Sequence, residues 1–117
     1  MNLIFYIKLA EMVIQLQAFH EKCDNKGATI VVVKIKDSEQ IVGGYNPLFW
    51  DSSNGDKATY DSFLFSFTNR NNLHSAKVSY SNGNRYSIGC YSDIGPSFSG
   101  VHHLYFYNGH LYNNYNR

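Results

Sequence analysis

The chain has 117 residues, enough for one domain with a single core and too few for two. Ten Lys and Arg stand against nine Asp and Glu, a formal net charge of +1, which lacks the basic footprint of a nucleic-acid binder. Two cysteines are too few for a secreted disulfide framework, and ten tyrosines with eight phenylalanines favour β structure.

In chain order, Met1 to Ile7 are mostly apolar and predict a strand. Met1-Asn2 carries no basic side chain and the apolar run stops at Lys8, so a signal peptide is not expected. Lys8, Glu11, Gln15 and Gln17 interrupt the region too often for a membrane-spanning helix. The expected compartment is therefore the cytoplasm, with Cys23 and Cys90 as reduced, buried thiols. Leu9, Met12, Val13, Leu16, Phe19, His20 and Cys23 recur at spacings of three and four, which predicts a helix with one buried face. Gly27 is its expected stop, with Lys22 and Lys26 near the negative end of the dipole.

Ile30 to Val33 form a continuous apolar run, which predicts a strand buried on both faces. Asp37 to Gln40 have turn composition, and Ile41-Val42 start a return strand. Gly43-Gly44 inside that strand predict a bulge or a close approach by another backbone. Asn46-Pro47 end it, because proline has no N–H to give to a ladder. Trp50, the single tryptophan, is expected to fold back over the sheet as a buried anchor. Asp51 to Lys57 read as a polar loop whose Asp51, Asn54 and Asp56 lack the spacing and closing glutamate of a calcium loop.

Phe63 to Phe67 predict a buried strand, and Asn69 to Asn72 a turn. Ala76–Tyr80 and Arg85–Cys90 flank Asn82-Gly83, a strong hairpin signal. Tyr91 to Gly100, with two glycines and a proline, read as a loop. His103 to Tyr107 resume strand character, and Asn108-Gly109 turn the chain into His110-Leu111-Tyr112. Six or more short strands and one main helix predict a mostly β (α+β) fold, a two-sheet antiparallel β-sandwich. No βαβ alternation is visible, which argues against a parallel sheet.

Several motifs, taken together and in order, resemble the TLDc domain, named for its association with TBC and LysM modules. They are Phe19-His20-Glu21-Lys22-Cys23-Asp24-Asn25-Lys26-Gly27 with Thr29-Ile30-Val31-Val32, and Gly43-Gly44-Tyr45-Asn46-Pro47-Leu48-Phe49-Trp50. Phe63-Leu64-Phe65-Ser66-Phe67 and Gly95-Pro96-Ser97-Phe98-Ser99-Gly100 follow. The resemblance implies two antiparallel sheets with helices against their edges. It divides the chain into a divergent strand and helix start at 1–17 and a partial TLDc-like domain at 18–117. It also implies a missing C-terminal closing strand, because Asn113 to Arg117 look like the start of a loop, with Leu3 to Ile7 as the segment able to fill part of that gap.

Each possible chemistry has a weaker and a plainer reading. Cys23 or Cys90 could be a reactive thiol with His20, His102 or His103 as base, yet Cys23 falls near a helix C-terminus, where the dipole opposes a thiolate. His102 and His103 are adjacent and point to opposite sides of a strand, and His103 with His110 lack a third ligand. Tyrosines near Lys77 and Arg85 could stack nucleic-acid bases, but the neutral charge argues against it. Stacking on a sugar would rest on fold analogy alone. No catalytic triad, phosphate-binding glycine loop or paired carboxylates assemble, and no catalytic residue, metal or cofactor is expected. Gly43, Gly44, Tyr45, Pro47, Trp50, Gly95, Pro96 and Gly100 are assigned a structural role.

The reading is a non-catalytic protein-interaction module. From the resemblance come roles in oxidative-stress resistance and membrane trafficking, and a partner, the peripheral part of the vacuolar proton-pumping ATPase. The alternatives are a thiol-dependent antioxidant enzyme using Cys23 or Cys90, and a fragment of a longer TLDc protein with no function of its own.

Overall fold

The computed structural model describes residues 3–8, 16–35, 37–68, 76–107 and 110–114. In order they form β1 (Leu3–Lys8), α1 (Leu16–Cys23), β2 (Thr29–Lys34), β3 (Ile41–Asn46), β4 (Gly55–Lys57) and β5 (Phe63–Phe67). β6 (Lys77–Tyr80), β7 (Ile88–Cys90), β8 (Ile94–Ser99), β9 (His103–Tyr107) and β10 (His110–Asn113) follow. Two five-stranded sheets result, ordered β1-β2-β3-β5-β6 and β10-β9-β8-β7-β4. The mostly β sandwich with one helix is therefore present as expected. The expected segments 9–15, 69–72 and 108–109 lie outside the described residues.

The first sheet begins with a departure from the antiparallel expectation. β1 pairs with β2 in parallel, Leu3 opposite Thr29 through Lys8 opposite Lys34. Parallel neighbours need a crossover, and α1 lies within it. A βαβ unit thus opens the chain. Periodicity reports which segments are strands, not the direction in which they pair.

β2 and β3 form the expected hairpin, with Val31 opposite Gly44 and Val33 opposite Val42. Asp37 turns the corner at φ 56°, and the Ser38 hydroxyl accepts from the Gln40 N–H at 2.8 Å. β2 is not buried on both faces: Thr29, Val31 and Val33 are buried, while Ile30, Val32 and Lys34 are half-covered. Nor is there a bulge at Gly43-Gly44, since both residues stay in register with β2 and β5. The other expectation, a close approach by a neighbouring backbone, holds at Gly43, and both glycines also make room for aromatic rings. A Cβ on Gly43 would meet the Val31 carbonyl and the Phe65 ring on the outer side. One on Gly44 would come within 2.8 Å of the Phe98 ring on the inner side.

α1 ends at Cys23 rather than running to Gly27. The chain is drawn off the helix axis by Trp50, whose carbonyl accepts from the Asn25 N–H at 2.8 Å while Asp24 forms a β-bridge to it. Asn25 takes φ 61°, a left-handed conformation that asparagine tolerates.

Three assignments in the second sheet also change. Part of the polar loop after Trp50 is β4, which pairs with β7. Asn82-Gly83 do form a turn, at φ 54° and 76° with Asn84 N–H on the Ser81 carbonyl at 3.1 Å. It is not a hairpin, because β6 pairs with β5 and β7 with β4 and β8: the turn carries the chain from one sheet to the other. The Thr59 carbonyl anchors it, accepting from Gly83 N–H at 3.1 Å and Ser87 Oγ at 3.2 Å. Finally, the Gly- and Pro-bearing stretch read as a loop is β8. Its ladder to β9 shifts register between Ile94 and Ser97, so Gly95 and Pro96 sit at an irregularity. That is where a strand tolerates a residue without an N–H.

The core lies between the sheets and under α1. Phe19 and Cys23 from the helix meet Val31, Val33, Val42 and Leu64 of the first sheet. Ile88, Cys90, Phe98, Leu104 and Phe106 come from the second, with Trp50 between them.

Candidate functional site

Of the residues given a structural role, Pro47 and Trp50 lie where the C-terminus of α1 meets the segment from Asn46 to Ser53, and Gly44 reaches it through Phe98. Gly43 and Tyr45 instead face outward with Phe65 and Phe63, and Gly100 packs on Tyr80 and Ser81. At the end of β3 the Asn46 Oδ1 accepts from the Leu48 N–H at 2.9 Å, which closes a turn over Pro47. The turn drops Trp50 into the core at 1% exposure. Its ring meets Phe19 at 5.5 Å and Phe98 at 5.3 Å, both nearly edge-on, the geometry that aromatic quadrupoles favour. This is the anchor expected from sequence, held between helix and second sheet and joined to Gly44 through Phe98. Trp50 Nε1 and Asn46 Nδ2 are buried without a hydrogen-bond partner.

Beside Trp50 lies a cluster that the motif spelling does not announce. His20 Nδ1 is 3.0 Å from Asp24 Oδ1, one helical turn on, and His20 Nε2 is 2.9 Å from the Ile94 carbonyl. Ser52 Oγ donates to Asp24 Oδ2 at 2.7 Å. Serine, histidine and aspartate thus meet, but not as a hydrolase arranges them. A catalytic imidazole keeps Nε2 for the serine and Nδ1 for the carboxylate. Here Nε2 is occupied by a backbone carbonyl, and the serine donates to the carboxylate. The cluster ties α1 to β8 and to the loop after Trp50, and the i, i+4 spacing of His20 and Asp24 was its one sequence signal.

The same loop is closed from its far end. Lys57 Nζ lies 3.3 Å from the Phe49 ring centre and donates to the Phe49 carbonyl at 3.0 Å and Asp51 Oδ2 at 2.9 Å. Hydrogen bonds from Ser53 and then Lys57 hold the Asp51 carboxyl at about 2. Tyr91 donates to Asp56 at 2.9 Å, and Asn54 Oδ1 accepts from Ser92 N–H at 3.0 Å. Asp51, Asn54 and Asp56 are therefore engaged in loop contacts.

The thiols are poor nucleophiles. Burial, reinforced by the Asp24 carboxylate, pushes Cys23 up to about 12. Burial also raises Cys90, whose Sγ faces the Phe49 carbonyl at 3.8 Å. Both are free thiols, as expected. His20 faces Asp24 and Ile94 rather than serving as a base for either. The other described histidines are apart: register sets His110 opposite Tyr107, while the His103 N–H donates to Asn114 Oδ1 at 2.7 Å. His102 Nδ1 lies 2.8 Å from Ser79 Oγ. Among the described residues, no cluster of three or more His, Cys, Asp or Glu could hold a metal ion. Lys77 and Arg85 fall on either side of the inter-sheet turn, and the Arg85 guanidinium lies 5.4 Å over Tyr86.

One cleft opens between β5, β6 and the β8–β9 turn, lined by Ser62, Leu64, Ser79, Ser81, Phe98 and His102. Its volume of about 10 Å³, room for about one water, is far below the roughly 300–1,000 Å³ of small-molecule sites. Among the described residues, no helix is long and apolar enough to cross a membrane.

The polar groups around Trp50 thus hold structure together rather than converge on an open cavity. No curated protein and no solved structure gives a significant match to this chain. The family model for the TLDc domain does match, over residues 2–116. With nearly the whole chain covered, and with the two-sheet fold in place, the chain belongs to the TLDc domain family.

Proposed function

We propose that this chain is a non-catalytic protein-interaction module that acts in the cytoplasm in oxidative-stress resistance and binds the peripheral part of the vacuolar proton-pumping ATPase. The observation that carries the reading is the family match over 2–116. The chemistry of the site supports the non-catalytic part: both thiols are buried and raised, and His20 is engaged at both ring nitrogens. On this reading Gly43, Gly44, Tyr45, Pro47, Trp50, Gly95, Pro96 and Gly100 shape the fold and do not touch a ligand. The domain then divides into a divergent strand and helix start at 1–17, which the family match still covers from residue 2, and a part at 18–117 closer to the family.

The experiment is direct binding of purified chain to the purified peripheral sector of the proton pump, with ATP hydrolysis followed in parallel. Saturable binding with a change in hydrolysis is expected. No binding up to about 100 µM, well beyond the affinity of specific complexes, sinks the assignment. Peroxide consumption by the wild type, lost in Cys23→Ser or Cys90→Ser, would instead establish the thiol enzyme.

A further inference from the structure

The first sheet turns one face to the core and leaves the other outward. Register fixes which residues look outward. Ile4, Ile30, Tyr45, Phe63 and Tyr80 form one row across all five strands. The next carries Val32, Gly43, Phe65 and Val78 across the four strands after β1. Outward faces of sandwiches are ordinarily polar. This one is packed with rings: Tyr45 to Phe63 at 5.4 Å, Phe63 to Tyr80 at 5.7 Å, and Phe65 to Phe67 at 6.0 Å. At the two edges Ile4 is 65% exposed, Val78 54% and Tyr80 53%. The helix packs on β8 and β1, and the other sheet covers the inner face.

The chemistry of the face selects its occupant. Register sets Lys8 opposite Lys34 at one corner of the face, where the Lys34 ammonium is held by the Ser38 carbonyl at 2.8 Å; the other outward positions of the five strands are uncharged. Interfaces between proteins that also exist apart are about as polar as the surrounding surface, whereas homodimer interfaces are more apolar. A face whose centre is uncharged pairs with itself about a two-fold axis through that centre while its lysine corners stay apart. Area agrees: five strands about 4.8 Å apart, with outward residues about 6.7 Å apart, present roughly 500 Å² once side-chain relief is included. Two such faces bury roughly 1,000 Å², the lower bound for a specific interface.

We propose that two copies of this chain pair through the outward face of the first sheet, centred on Phe63 and Phe65, as a reversible dimer. The sheets then stack about 10 Å apart, as in an aligned sandwich.

Sedimentation equilibrium from about 1 to about 300 µM brackets the micromolar affinity that a small interface gives. The average mass should rise from that of one chain to a plateau at two. Val78→Lys and Ile4→Lys put charge on the face at exposed positions and should weaken pairing at least tenfold. Tyr107→Lys, on β9 of the other sheet, should leave it unchanged. The buried emission of Trp50 checks that each variant is folded. A nitroxide on Val78→Cys reads pairing without added charge, through spin–spin broadening at dimer concentrations. A wild type that stays monomeric, a mass that passes two chains without a plateau, lysine variants that pair normally, or an unbroadened nitroxide each overturn the proposal.

Discussion

Adding one methyl group at Gly44 separates two opposed effects. Gly44 has no left-handed φ, so alanine suits its backbone, and the narrower unfolded ensemble alone would stabilise the protein by about 0.4–1 kcal/mol. The space is another matter. The new Cβ would lie 2.8 Å from two atoms of the Phe98 ring and 2.9 Å from a third, closer than real Cβ contacts come. Phe98 is fully buried and held edge-on against Trp50 at 5.3 Å, so its ring has nowhere easy to go. Overpacking of this kind costs about 1–3 kcal/mol, which at the middle of both ranges leaves Gly44→Ala destabilised by about 1.3 kcal/mol. The assay is urea unfolding followed by Trp50 fluorescence, in which the midpoint should fall with an unchanged slope. Phe98→Leu removes the clashing ring, so the double variant should be more stable than the two single losses predict by addition. A Gly44→Ala protein as stable as the wild type, or more so, would refute the reasoning, because the entropy term would then be acting unopposed.

Trp50→Ala removes the ring that Phe19 and Phe98 pack against and should cost about 3–5 kcal/mol; an exposed-type emission maximum in the wild type would contradict the burial behind that figure. Cys23 and Cys90 should both resist alkylation near pH 8 in the folded protein, since Cys23 titrates only at about 12, and both should be labelled once denaturant is added. Rapid labelling without denaturant would count against this. Asp51 is held at about 2 against an ordinary 3.8, so its contribution is fully present above pH 3.8 and is lost as pH falls through 2. Both side chains of this pair stay partly exposed, at 21% and 20%, so Asp51→Asn should cost about 1 kcal/mol at pH 6, and the difference from the wild type should vanish toward pH 2. A deficit that persists there would point away from the carboxylate charge.

Local chemistry was readable wherever one segment decides its own conformation. The β-branched run into Asp37 and the return to Pro47 announced the β2–β3 hairpin, and the spacing of Phe19 and Cys23 announced the buried side of α1. Legibility ended where a distant segment overrides local preference. Gly95 and Pro96 signal a loop, but β9 supplies a partner and the ladder shifts register around them. Asn82-Gly83 signal a hairpin, and the turn is real, yet β5 and β4 capture the two flanking strands first. At the candidate site, Trp50 stood out by rarity and position. The cluster of His20, Asp24 and Ser52 did not, because Ser52 meets Asp24 across 28 residues and His20 meets a backbone carbonyl, which has no sequence signature.

β4 gives the sandwich a topological stitch. The first sheet takes its strands from residues 3–80 and the second from 88–113, except that Gly55–Lys57 leaves the first stretch to edge the second sheet against β7. The halves therefore cannot mature one after the other: the late strand β7 must be present before the early segment finds its place. Such threading raises the mean sequence separation of contacts and slows folding relative to two independent sheets. It also joins the sheets into one opening unit. Amides of Ile88 to Cys90 should then exchange their protons at the rate of the β3–β5 ladder, in a single global event, rather than earlier with the second sheet alone.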